Sequence, residues 1–141
     1  MDTSRSIRVR ERQLSHSAVG GLHVRVSYGH SSKVLTPAEA AQYVKAGIDV
    51  VTIWEFDPLD ALGGAAAGLR HATKAAQLRR ECGGPSTAPI YFGADFEALP
   101  EHQGLVNDYL RAAASVIGKE RVGVYGSYFL VKRCAEAGVA R

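Results

Sequence analysis

Cysteine is scarce in this sequence, which argues against several kinds of site. The chain has 141 residues and only two cysteines, Cys82 and Cys134, which lie far apart. Neither belongs to a Cys-x-x-Cys pair, so the sequence predicts neither a zinc site nor a redox pair. We expect both to be ordinary thiols, and no pattern implies a metal or another cofactor.

Long apolar runs are also lacking. Positive charge near the N-terminus is not followed by the apolar run of about seven or more residues that a secretory signal requires. No stretch approaches the length of an apolar membrane span. We therefore expect a chain that does not cross a membrane and is cytoplasmic by default.

Clustered positive charge is confined to the first twelve residues, which hold four arginines against two acidic residues. No later stretch combines clustered Lys and Arg with aromatic residues, as a nucleic-acid-binding surface would, so we predict no nucleic-acid partner. Residues 1–20 fit no helix or strand, and we interpret them as a disordered leader. Residues 21–141 then form a single domain.

Predicted strands and helices alternate along the rest of the chain. The clearest helix start is Thr36-Pro37-Ala38-Glu39, where threonine can cap, proline suits the first turn and glutamate can complete a capping box. Strands are predicted over 23–28, 48–54, 89–95 and 121–125, and helices over 37–47, 65–82, 105–117 and 129–137. This order predicts about four parallel strand-helix units of an α/β fold, with neighbouring strands adjacent in chain order.

Acidic residues stand at the ends of two predicted strands. Asp95 and Glu97 are two positions apart, so their side chains point the same way, and Glu55 ends the preceding strand. Carboxylates brought together repel one another, which raises the proton affinity of one and leaves another ionised, as glycoside hydrolysis requires. We predict that all three converge, with Glu97 more shielded than Asp95. The alternative is that these residues only solvate the strand ends.

Three tyrosines near strand ends are candidates for binding a sugar ring. Tyr91, Tyr125 and Tyr128 could each stack on such a ring. A tyrosine near the end of a barrel strand also packs in the barrel mouth, so both interpretations remain open.

Four segments occur in the order found in a known family. They are Lys33-Val34-Leu35-Thr36-Pro37-Ala38-Glu39-Ala40, Ile53-Trp54-Glu55, Pro89-Ile90-Tyr91-Phe92-Gly93-Ala94-Asp95-Phe96-Glu97 and Gly123-Val124-Tyr125-Gly126. The chain thereby resembles the bacterial glycoside-hydrolase-like domains of uncertain function, which are similar in fold to family 25 lysozymes.

The resemblance implies a (β/α)8 barrel of the TIM type, a polysaccharide or peptidoglycan as partner, Glu97 as the acid and Asp95 as its helper. Members of the family are often exported. A complete barrel needs roughly 250 residues, so this chain is expected to form a partial one. The family's usual first strand, with glycine, an aromatic residue and aspartate, has no match in residues 1–21.

A partial barrel exposes unpaired sheet edges, which favours self-association. The alternative function is a catalytically inactive carbohydrate-binding module or a truncated fragment.

Overall fold

The computed structural model describes residues 34–140 in full and residues 23–28 as a strand. Residues 1–20, interpreted above as a disordered leader, lie outside the described residues. Among the described residues, no helix has the length and apolar character that crossing a bilayer requires.

Four parallel strands form one sheet. They are β1 (His23–Tyr28), β2 (Asp49–Trp54), β3 (Ile90–Ala94) and β4 (Val122–Gly126), and they lie side by side in the order β1-β2-β3-β4. Each neighbouring pair is parallel. The prediction of parallel strands adjacent in chain order is therefore confirmed, and the fold is of the α/β class.

Each strand is followed by a helix, as the alternation predicted. The helices are α1 (Pro37–Lys45), α2 (Gly64–Glu81), α3 (Gln103–Ile117) and α4 (Tyr128–Glu136). Three short 3-10 helices were not predicted, at Asp60–Gly63, Pro100–His102 and Lys119–Arg121. Two of them lie between a strand's C-terminal end and the helix that follows, where they shape the connecting loops.

The start of α1 differs from the predicted capping box. The Thr36 hydroxyl accepts the Glu39 N–H at 3.2 Å, as expected of a cap. The Glu39 carboxylate instead accepts the Tyr43 hydroxyl at 2.8 Å. Burial and then this carboxylate raise the pKa of Tyr43 to about 12.

The hydrophobic core lies between the sheet and the helices. On β3, Ile90 and Phe92 are buried in this core, and the Phe92 ring contacts the Tyr109 ring of α3 edge to face at 5.9 Å. Side chains on a strand alternate faces, so Tyr91 and Gly93 point to the other side, which we call the inner face. Ile53 of β2, opposite Tyr91, is buried but is not part of the helix-side core.

Helices α2 and α3 approach each other closely at Gly68. A side chain at this position would overlap the carbonyl oxygen of Tyr109 and lie 3.0 Å from the Ala112 Cβ. The backbone of α3 thus fills the space that a Cβ of α2 would need. This contact holds both central helices against the sheet.

We predict that Gly68→Ala lowers the free energy of unfolding by about 1–3 kcal/mol, because overpacking here can be relieved only by shifting helix backbone. The matched control is Gly104→Ala in α3, where an added Cβ meets nothing within 4 Å. A small gain or no change is expected there, since alanine favours helix over glycine. Urea unfolding measures both, and equal stability of the two variants would contradict the close packing.

Candidate active site

The side chain of Glu55 lies on the inner face of the sheet. It directly follows β2, and a Cβ placed on Gly93 would be 3.1 Å from the Glu55 Cβ and 3.3 Å from its Cγ. Gly93 is paired in turn with Tyr125 of β4. Because Val124 is in the helix-side core, alternation turns Tyr125 to the inner face. The structure therefore brings Glu55 and Tyr125 to either side of Gly93.

Asp95 and Glu97 follow β3 beyond the last paired residue. Ala94 and Ala98 are buried and Phe96 packs against the core, whereas Asp95 and Glu97 are both exposed. Both carboxylates are thus open to solvent just past the C-terminal end of β3. The expectation that Glu97 is the more shielded of the two stays a prediction.

The loop that carries Asp95 and Glu97 is anchored by residues that the sequence analysis did not identify. Arg133 of α4 donates from Nη2 to the Ala98 carbonyl oxygen at 2.7 Å. His102 accepts the Leu99 N–H at its Nδ1, at 3.0 Å, and its ring contacts the Phe96 ring at 5.6 Å. Arg133 is far from Ala98 in sequence, so no local pattern could have shown this anchor.

The three candidate tyrosines do not lie together. Tyr91 is on the inner face, but its ring occupies the space beside Gly123, one row nearer the N-terminal ends of the strands than Glu55. Tyr91 also lines a cavity of about 510 Å³ at the N-terminal end of the sheet. Gly47, Gly83 and Pro85 border the same cavity. Tyr128 begins α4 after β4 and is 73% exposed. Of the three, Tyr125 lies across Gly93 from Glu55, and Tyr128 belongs to the same end of the sheet.

A buried polar network lies behind the end of β2. Asp60, which is 8% exposed, accepts the Phe56 N–H at 2.8 Å. The same carboxylate oxygen is 3.9 Å from His71 Nδ1, which is 2.9 Å from the hydroxyl of the fully buried Tyr109. The Trp54 ring lies 5.2 Å from the His71 ring. The sequence analysis did not identify this network; the signal that could have found it is an aspartate between a strand end and an alanine-rich helix.

Burial sets the protonation behaviour of this network. Desolvation lowers the pKa of His71, the nearby Asp60 carboxylate partly opposes this, and Arg70 adds to the lowering. Burial also raises the pKa of Tyr109 far above its usual value, helped by Asp60. At neutral pH the network therefore holds a neutral imidazole and a neutral phenol.

Within the described residues, no three His, Cys, Asp or Glu side chains are grouped as a metal site would require.

The comparison with known families decides the relationship. Residues 16–140 match the Rv2525c-like, glycoside hydrolase-like domain. The chain belongs to this family. The resemblance seen in the sequence is thereby confirmed.

A curated protein is similar to this chain. The "Putative peptidoglycan hydrolase Rv2525c" of Mycobacterium tuberculosis is 34% identical over 99 residues, which are 67% of this chain and 41% of that protein. The chain thus spans less than half the length of this curated relative.

Solved structures of other proteins have the same fold as this chain. The crystal structure of the Tat-secreted protein Rv2525c of M. tuberculosis in complex with HEPES has a TM-score of 0.80 at 26% identity, covering 96% of this chain and 72% of that one. Its complex with L-tartrate gives a TM-score of 0.79 at 27% identity, covering 96% and 71%. An uncharacterized B. stearothermophilus protein shares the fold with a TM-score of 0.60 at 13% identity, covering 93% and 66%.

The buried network makes stability depend on pH through His71. Its pKa is lowered in the folded state, so the unfolded chain, with a histidine near 6.5, binds the proton more tightly. The free energy of unfolding should therefore fall as the pH drops below about 6.5.

Urea unfolding between about pH 7.5 and pH 5, roughly one unit above and one and a half units below the ordinary histidine pKa, measures this slope. His71→Gln should flatten it in that window, although the variant loses a buried hydrogen bond. An identical slope in the variant would show that His71 does not carry the effect.

Proposed function

We propose that this family member binds cell-wall glycan at the C-terminal end of its sheet, through Glu55, Asp95 and Glu97 with Tyr125 and Tyr128. The observation that carries the proposal is the position of Glu55, whose side chain lies along Gly93 on the inner face. Gly93 is in β3, and Asp95 follows directly after the end of that strand. Parallel α/β barrels keep their catalytic groups at this end. The relative's description as a peptidoglycan hydrolase supports peptidoglycan as the substrate class.

The proposed reaction is hydrolysis of a glycosidic bond. One carboxylic acid protonates the leaving oxygen, while a second carboxylate stabilises the oxocarbenium-like centre or activates water. Glu97 is proposed as the acid and Asp95 as its partner, in line with the family resemblance. Glu55 is the third carboxylate, placed to contact the sugar from the neighbouring strand, and the exposed Tyr128 ring supplies a stacking surface.

A second candidate function is glycan binding without turnover. Asp95 and Glu97 are exposed to water, and hydration weakens the electrostatic effects on which catalysis depends. The chain also spans only 41% of its curated relative, so groups that complete a catalytic site in that protein need not have counterparts here.

The remaining parts of the proposal concern architecture and location. Four parallel strand-helix units in chain order support a partial barrel of the TIM type. In the described sheet, β1 and β4 lie at the two edges, which supports self-association through edge pairing. A Tat-secreted relative supports export in place of the cytoplasmic location expected from the sequence.

Turnover and binding can be separated with single carboxylate variants. Purified chain should release reducing sugar from peptidoglycan or a chitooligosaccharide. We expect Glu97→Gln to reduce this rate by about 10²–10⁴-fold, the usual contribution of a general acid. Asp95→Asn and Glu55→Gln should also reduce it, whereas pull-down on insoluble peptidoglycan should still detect Glu97→Gln.

The matched control is Glu136→Gln, an exposed carboxylate at the far end of α4 whose pair with Lys132 is a surface salt bridge. It should behave like the unmodified chain. Binding without turnover would favour the second function, and neither binding nor turnover would overturn the proposal.

A further inference from the structure

We propose that Asp60 is a positioning residue that aims Glu55 across Gly93 by holding the peptide that follows Glu55. This inference rests on the proposed function in assigning Glu55 to the glycan site. Asp60 is buried behind the sheet and touches no glycan itself, so its effect on the site has to be transmitted through the backbone of the β2 end.

The Asp60 carboxylate bonds directly to the peptide unit that leaves Glu55. The N–H that it accepts, at 2.8 Å, belongs to Phe56, and this N–H shares a rigid plane with the Glu55 carbonyl group. Fixing this N–H therefore restricts rotation about the Cα–C bond of Glu55. This restriction limits the orientation of the Glu55 Cα, from which the side chain leaves.

The side chain of Phe56 does not supply this restraint. Its ring is 59% exposed, and Asp57 after it is exposed too. With little of the turn buried, its conformation depends on hydrogen bonds, and the bond to Asp60 starts at the residue directly after Glu55.

Asp60 can serve as a fixed point because it is buried and its own N–H donates to the Asp57 carbonyl oxygen at 3.0 Å. It is 8% exposed, and His71 of α2 lies 3.9 Å from the oxygen that binds Phe56. His71 is in turn bonded to the buried hydroxyl of Tyr109 in α3 at 2.9 Å. A buried carboxylate packed beside a histidine that is itself bonded into the core has less freedom than a side chain in an exposed loop, which gives Asp60 a defined position.

Glu55 is thus constrained from two directions. Gly93 leaves room for its Cβ and Cγ on the inner face, and Asp60 holds the following peptide from the helix side. Removing the Asp60 restraint should let Glu55 turn away from Gly93 without any change in the glycan-facing residues themselves.

The test compares Asp60→Ala with Asp60→Asn in the full 141-residue chain. Asparagine keeps an oxygen that can accept the Phe56 N–H, whereas alanine cannot. The matched control is Asp57→Ala, which removes a carboxylate bond to the Leu59 N–H in the same turn, at 2.8 Å, but leaves the bond to Phe56. Two quantities are measured, which are amide hydrogen exchange at Phe56 by NMR and the dissociation constant for a chitooligosaccharide.

In Asp60→Ala we expect amide exchange at Phe56 to become about tenfold faster or more. We expect glycan affinity to fall by about the same factor, because a hydrogen bond to a charged group is lost. Asp60→Asn should restore both to within about threefold of the unmodified chain. Asp57→Ala should leave Phe56 exchange unchanged. Should Asp60→Ala fail to fold, Asp60→Ser, whose hydroxyl is too short to reach Phe56, makes the same comparison.

Three results would overturn the inference: unchanged Phe56 exchange and affinity in Asp60→Ala, an equal loss in Asp60→Asn, or an equal loss in Asp57→Ala. If the unmodified chain binds no chitooligosaccharide and no peptidoglycan, the proposed function fails. The exchange measurements then decide the positioning role by themselves, with faster Phe56 exchange in Asp60→Ala supporting it and equal exchange refuting it.

Discussion

Tyr109 joins the two central helices to the sheet, and the arrangement of the site depends on it. Its ring is fully buried against Phe92, and its carbonyl oxygen lies where only a glycine at position 68 of α2 can fit. Burying a phenol is favourable only when its hydroxyl finds a partner, and His71 supplies one. Tyr109 therefore takes part both in the close packing of α2 against α3 and in the polar network behind β2.

The network connects this packing to the inner face. Tyr109 is bonded to His71, the Asp60 carboxylate lies 3.9 Å from His71, and Asp60 accepts the backbone N–H of Phe56, which directly follows Glu55. On β3 the corresponding support comes from α4, where Arg133 holds the Ala98 carbonyl oxygen just after Glu97. Both carboxylate-bearing strand ends are thus supported by side chains from helices on the opposite face of the sheet, which is how a rigid scaffold orients exposed groups.

Sequence alone predicted the order and direction of the strands, because strand and helix periodicities are local and parallel crossovers follow a simple rule. The shared direction of Asp95 and Glu97, inferred from the same local alternation, stays a prediction. It could not show that Glu55 lies along Gly93, since that depends on the pairing register of β2 and β3. The contacts of His71 with Tyr109 and of Arg133 with Ala98 join residues more than thirty positions apart, beyond any local pattern. The sequence analysis made Tyr91 a sugar-binding candidate near the C-terminal strand ends. The sequence does not reveal that the Tyr91 ring occupies the space beside Gly123, one row nearer the N-terminal ends.

The central claim is that glycan binds at the C-terminal end of the sheet and not in the cavity of about 510 Å³ at its N-terminal end. Titration of the labelled chain with a chitooligosaccharide, followed by amide NMR shifts, distinguishes the two ends in one experiment. The account predicts saturable shifts at residues 55–57, 93–97 and 125–128. Shifts confined to the residues around Gly47, Gly83 and Pro85 would contradict it.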